Sequence, residues 1–252
     1  MMRMTETVKQ LLIINIIFYI GSQFVDLAYP LFSLYYPEND LFRFWQPITS
    51  MFMHAPMPNL MHIVFNMFGL IMFGSPLEHF WGTKKFLFFY ISCGLGAALL
   101  HLGFSYYEYN SVVNSLKEAG ISDQVIGIIS REGKYNQEIL NVVPLSKLEQ
   151  LYASYNIPSL GASGAIYGLL TAFAFMFPNA ELMMLFIPVP IKAKYFVPGL
   201  IALDLFLGLK GNSLFGSGGT GVAHFAHIGG AITGFIMMWF WKKNQFNKNR
   251  WD

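Results

Sequence analysis

Five stretches of the chain contain no Asp, Glu, Lys or Arg: residues 10–25, 44–77, 86–107, 150–180 and 211–241. A sixth, 195–209, is interrupted only by Asp204. A helix crossing the hydrocarbon core of a bilayer needs about 20 mostly apolar residues. Trimmed to that length, the pattern predicts six helices near 10–29, 59–77, 85–105, 160–177, 193–209 and 223–241. The expected fold class is all-α, a polytopic six-transmembrane-helix bundle, with residues 1–252 forming a single membrane domain. The first apolar stretch is long, unbroken and without a small-residue cleavage site, so it reads as a retained span rather than a signal peptide.

Positive charge sets the direction. With the N-terminus inside, one side of the membrane holds Arg3, Lys9, Lys84, Lys85, Lys192, Lys194, Lys242, Lys243, Lys248 and Arg250. The other holds Arg43, Lys117, Arg131, Lys134, Lys147 and Lys210. This bias predicts that both termini are cytoplasmic (N-in, C-in). Three connections then face outward. Residues 30–58 are rich in Pro and aromatics. Residues 106–158 form a polar loop insertion too long for a turn. Within it, Ser146 and Glu149 make a capping-box pattern ahead of Leu148, Leu151, Tyr152 and Tyr155. That spacing predicts a short amphipathic helix on the outer membrane surface or on the spans. Residues 210–222 are glycine-rich and expected to be mobile.

Composition removes other classes. Charged residues are 12% of the chain, against roughly 25% in an ordinary soluble domain. Hydrophobic residues reach 54% and aromatics 17%, which excludes a soluble globule, a disordered segment and a nucleic-acid-binding domain. Cys93 is the sole cysteine, so no internal disulfide can form.

Polar groups inside apolar spans are costly, which makes each a candidate for function. Gly161-Ala162-Ser163-Gly164 opens the fourth predicted helix. A serine there is open to approach, and free N–H groups at a helix start suit a developing oxyanion. His227, in Ala226-His227-Ile228-Gly229-Gly230, can serve as general base to a serine on a facing helix. Gly230 and Gly234 form a small-xxx-small pair that brings such a helix close. His62 and Asn66, four apart, share one face of the second helix, and both can donate hydrogen bonds to an oxyanion. Tyr167 lies one turn beyond Ser163, where its ring can pack on an imidazole. Each feature also has an ordinary structural reading: small residues at a helix interface, a hydrogen-bonded core histidine, polar residues bridging two helices, an interfacial aromatic.

Together these residues resemble the rhomboid family of intramembrane serine proteases. The matching pieces are HIVFN with His62 and Asn66, GASG with Tyr167 four residues after its serine, and AHIGGAITG around His227. Their order on the second, fourth and sixth helices also matches. The resemblance implies Ser163 as nucleophile and His227 as its base, a catalytic dyad without an aspartate. It implies that His62, Asn66 and the Ser163 N–H stabilise the oxyanion, that Gly161 permits close approach, and that Tyr167 stacks on His227. It also implies single-span transmembrane proteins as substrates, in the lipid bilayer, with no metal and no cofactor. The chain departs from the family pattern in three places. Trp45-Gln46 stands where many members carry Trp-Arg, with Arg43 two positions from the Trp. The 106–158 connection is long, and so is the 210–222 loop, which by resemblance caps the active site.

Two other functions compete with proteolysis. A proteolytically silent rhomboid-like protein that binds membrane clients would usually lack the serine or the histidine. A transporter is suggested by Asp26 and Asp204, but both are expected near the outer ends of their helices, and no internal repeat is present. His224 and His227 are three apart, but no HExxH motif and no nearby carboxylate accompany them, so no metal site is expected. His224 is expected at the polar outer end of the sixth helix. No nucleotide or nucleic-acid site follows, and the residues do not specify an oligomeric state. The expected location is a prokaryotic inner membrane, with the active site facing its outer side.

Overall fold

The structure is a computed structural model that describes residues 4–184, 187–210 and 222–245. Helix α1 spans Glu6–Phe24. Its free first-turn N–H groups are met from another element: the buried Glu78 carboxylate accepts from Thr7 N and Val8 N at 3.0 Å each. Helix α2 runs over Leu60–Trp81 and contains a wide turn at Leu70–Gly74, just before Pro76. Proline offers no N–H to the preceding turn, and a local widening of the helix accommodates that gap. Helix α3, Thr83–Glu118, is 36 residues long. By length and composition, these three helices are each long and apolar enough to cross a membrane, and Ser163–Met176 is a shorter apolar helix.

The remaining long helices surround the candidate chemistry. Helix α6 is Ser163–Met176, α7 is Ala193–Lys210 and α8 is Val222–Gln245. Helices α3, α6 and α8 meet through small residues. A Cβ at Gly234 would lie 2.9 Å from Gly168 Cα, and one at Gly230 would lie 2.6 Å from the Gly164 carbonyl carbon. Both are closer than carbon atoms tolerate, so the helix backbones touch as small-xxx-small packing requires. The main core lies around this contact and includes Phe86, Phe89, Tyr90, Cys93, Ala165 and Leu169.

The connection 106–158 is mostly helical. Instead of ending near residue 105, α3 continues to Glu118, followed by α4 (Asp123–Glu132) and α5 (Leu145–Asn156). Glu108, Lys117 and Glu118 give the extension a polar sequence. Even so, Val112 and Leu116 pack with Ile126, Ile129, Ile139, Val143, Leu148 and Leu151 in a second hydrophobic cluster. Leu148 and Leu151 of the amphipathic helix thus turn into this cluster and onto α3, while Tyr152 stays exposed. Ser146 is not its cap: the N-cap residue is Pro144, and no side chain caps the helix.

The all-α expectation needs one amendment. Between α6 and α7 an antiparallel hairpin pairs β1 (Glu181–Met184) with β2 (Ile187–Lys192), and Leu182 faces Ile191. Pro188 and Pro190 exclude a helix here, while Ile187, Val189 and Ile191 favour an extended chain. In the first connection, Gln46 is fully buried. Its Nε2 donates to Pro30 O at 3.1 Å and Leu41 O at 2.8 Å, and its Oε1 accepts from Tyr35 N at 3.3 Å. Gln46 thus ties the loop together as a neutral side chain, while Arg43 is exposed and donates to the local carbonyls of Asp40 and Phe42. The glycine-rich connection lies, at 211–221, outside the described residues.

Candidate active site

The segment leading into α6 is held from the first connection. Leu34 and Ser159 exchange backbone hydrogen bonds of 2.9 and 2.8 Å, and Gly161 N donates to Ser50 O at 2.9 Å. Gly161 has a φ of +121°, a conformation that only glycine adopts readily. A Cβ there would also stand 3.0 Å from His62 Cε1 and 3.1 Å from His62 Nε2. This backbone turn starts α6 at Ser163, so the N–H groups of Ser163, Gly164 and Ala165 have no acceptor within the helix. They converge next to the serine hydroxyl, at the positive end of the helix dipole.

His227 on α8 reaches Ser163 across the glycine contact. Its Nε2 lies 2.8 Å from Ser163 Oγ. The Tyr167 ring stacks on the imidazole with centroids 4.3 Å apart and planes 8° from parallel. Ser163 and Tyr167 are one turn apart on α6, so the helix that presents the hydroxyl also fixes the imidazole plane. Gly230 lies one turn beyond His227, and Gly164 lies next to Ser163. The backbone contact between those glycines sets the distance between the two functional groups.

His62 faces the same point from α2. Its Nδ1 accepts a hydrogen bond from Ala55 N at 3.1 Å. The neutral ring therefore carries its proton on Nε2, the nitrogen that overhangs Gly161. The Asn66 amide donates to His62 O at 2.7 Å, and its buried Oδ1 has no hydrogen-bond partner among the described residues. One Asn66 N–H is thus engaged within its own helix, leaving the second for other acceptors. The neighbouring ring of His54 is buried against His62 with centroids 5.2 Å apart.

One member of the constellation is not among the expected protease residues, and in the sequence it suggests only a transporter. Asp204, on α7, is 5% exposed rather than close to water. Its Oδ2 accepts from His227 Nδ1 at 3.1 Å, and its Oδ1 accepts from His224 Nδ1. A carboxylate therefore lies beside both histidines of α8, where the sequence leads to the expectation of none near them. His224 is buried against Asp204 and does not line a polar helix end. Asp204, His224 and His227 place one ligand atom each within 4.8 Å of one another, so this set has the donor types and spacing to hold a divalent cation. The sequence signals that mark Asp204 are its charge in the middle of an apolar helix and the absence of any other Asp, Glu, Lys or Arg between 195 and 209.

Comparison with known proteins gives one family. The family model described as Rhomboid domain matches residues 41–244. The chain is similar to Rhomboid protease AarA of Providencia stuartii, 30% identical over 136 residues, covering 50% of this chain and 47% of that protein. It is also similar to RHOMBOID-like protein 12, mitochondrial, of Arabidopsis thaliana, 28% identical over 200 residues, covering 79% of this chain and 47% of that protein. Rhomboid protein 1, mitochondrial, of Saccharomyces cerevisiae is 32% identical over 87 residues, covering 34% of this chain and 23% of that protein. The chain spans about half the length of the first two of these relatives.

Proposed function

Since the chain belongs to the rhomboid family by its match over residues 41–244, we propose that it is an intramembrane serine endopeptidase acting on single-span transmembrane proteins. The observation that carries this reading is the 2.8 Å contact between Ser163 Oγ and His227 Nε2 at the start of α6. A serine hydroxyl is a weak nucleophile, and a base at hydrogen-bond distance is what activates it. His227 takes the proton as Ser163 attacks the scissile carbonyl. The oxyanion is met by the backbone N–H groups at the start of α6 and by the Nε2–H of His62, with Asn66 as a further donor. His227 then returns its proton to the leaving amine. Water, activated by the same imidazole, resolves the acyl-enzyme.

The bilayer gives the arrangement its purpose. Helix α6 has 14 residues and is about 21 Å long, against about 30 Å of hydrocarbon. A helix that short leaves its N-terminus below the membrane surface, and a water-filled cavity above Ser163 supplies the hydrolytic water. In this reading the six spans run N-in and C-in, and the cavity opens to the outer side. The apolar helices and the rhomboid domain make the chain an integral membrane protein. Its relatives are bacterial and mitochondrial, and the reading applies to either membrane. AarA carries the word protease in its name, which supports the same chemistry here. The test is cleavage of a single-span reporter by the full chain in liposomes. Wild type should cleave, and Ser163→Ala should not. Equal cleavage by Ser163→Ala refutes the reading.

A further inference from the structure

A carboxylate between Leu203 and Leu205 in an apolar helix is expensive unless its oxygens are hydrogen-bonded. Asp204 has both oxygens engaged, one by each histidine of α8, and the Tyr167 hydroxyl lies close by. The order of atoms is informative. Asp204 Oδ2 faces His227 Nδ1 at 3.1 Å, and the opposite ring nitrogen of His227 faces Ser163 Oγ at 2.8 Å. A neutral imidazole holds one proton, and the nitrogen that faces a carboxylate must carry it, because two lone pairs repel. Nε2 is then left with its lone pair aimed at the serine hydroxyl, as a general base requires. When Ser163 loses its proton, the resulting imidazolium lies beside a buried negative charge that screens poorly and therefore stabilises it strongly.

We infer that Asp204 is a positioning residue that completes a Ser163–His227–Asp204 triad, with His224 holding the carboxylate in place through its second oxygen. The inference rests on the serine-protease reading. It goes beyond that reading because the resemblance implies a dyad alone. Asp204 sets the tautomer and orientation of His227 and stabilises its charged form, without taking the proton itself. His224 prevents the carboxylate from rotating away, and the two histidines, three residues apart, bracket it from one helix.

The test uses the full chain in liposomes with a single-span reporter, comparing wild type, Ser163→Ala, Asp204→Asn and Asp204→Glu, each checked for folding by thermal melting. Asp204→Asn should lower kcat by about 100- to 10000-fold while KM stays within about 2-fold, because the tautomer is lost and not the binding surface. Asp204→Glu, which restores a carboxylate, should recover part of the rate.

Three results would overturn the inference. A folded Asp204→Asn with wild-type kcat, beside an inactive Ser163→Ala, removes Asp204 and leaves the protease standing. Wild-type activity abolished by a chelator and restored by zinc assigns the cluster to a cation centre instead. If Asp204→Asn does not fold, the proton spectrum of the wild type decides. A strongly deshielded ring proton that disappears in His227→Ala supports the triad, and its absence from the wild type refutes it. Full cleavage by Ser163→Ala is a separate outcome, because it refutes the protease reading itself.

Discussion

Replacing Gly230 by alanine perturbs the distance between serine and histidine without touching either. The added Cβ would lie 2.6 Å from the Gly164 carbonyl carbon. The Gly164 carbonyl oxygen would be nearer still, and carbon atoms pack at about 3.5–4.0 Å, so α6 and α8 must part by at least about 1 Å at this crossing. Gly164 is next to Ser163, and Gly230 is one turn from His227, so the gap opens where they meet. The 2.8 Å Ser163–His227 contact becomes about 4 Å, beyond hydrogen-bond reach. Overpacking of this kind costs about 1–3 kcal/mol of stability. A misplacement of about 1 Å between reacting groups lowers the rate by about 100-fold. The assay is reporter cleavage in liposomes, with melting temperature read in parallel. Gly21→Ala is the control, because a Cβ at Gly21 meets nothing within 4 Å. Wild-type turnover by a folded Gly230→Ala protein would refute the argument that this glycine contact sets the catalytic distance.

Other positions give independent checks. Gln46→Leu should lower the melting temperature, because it leaves the Tyr35 N–H and the Pro30 and Leu41 carbonyls without their partner, at about 1–3 kcal/mol per buried group. Its kcat at low temperature should stay within about 3-fold of wild type, and a kcat loss without destabilisation would assign Gln46 a direct part in the chemistry. His54, in the first connection, is fully buried, and burial first, then the charge of His62, lowers its pKa to about 3. In the unfolded chain it takes up a proton near pH 6.5. Stability contributed by the neutral ring is therefore present above that pH and lost as the pH falls toward 3, at up to about 1.4 kcal/mol per pH unit. His54→Asn should melt with a shallower acid dependence, and an identical slope in both proteins would rule His54 out as its source.

Local spacing made much of the candidate site legible. Ser163 and Tyr167, and likewise His62 and Asn66, are four residues apart, and the helical repeat alone puts each pair on one face. Glycines beside Ser163 and His227 indicated that two backbones could touch. Asp204 lacks any such relation to its partners. It lies on α7, separated from His224 and His227 by the connection 211–221, and only the packing of α7 against α8 brings the charge inward. Reading its position along the helix placed it near water, whereas its rotation about the helix axis places it in the core. The extension of α3 past residue 105 was hidden for a similar reason. Its apolar positions Val112 and Leu116 face a cluster made by α4 and α5, which no pattern within residues 106–118 reveals. The hairpin escaped because Pro188 and Pro190 mark a break in helix without specifying what replaces it.

The most direct test of the central claim is labelling by a fluorescent serine-directed phosphonate. The purified full chain, Ser163→Ala, His227→Ala and a heat-denatured sample would be run together in detergent and again in liposomes. The account predicts that only native wild type is labelled, since the reaction needs a nucleophilic Ser163 with His227 at hydrogen-bond distance. Labelling that persists in Ser163→Ala, or a folded wild type that stays unlabelled in both environments, contradicts an activated serine at the start of α6.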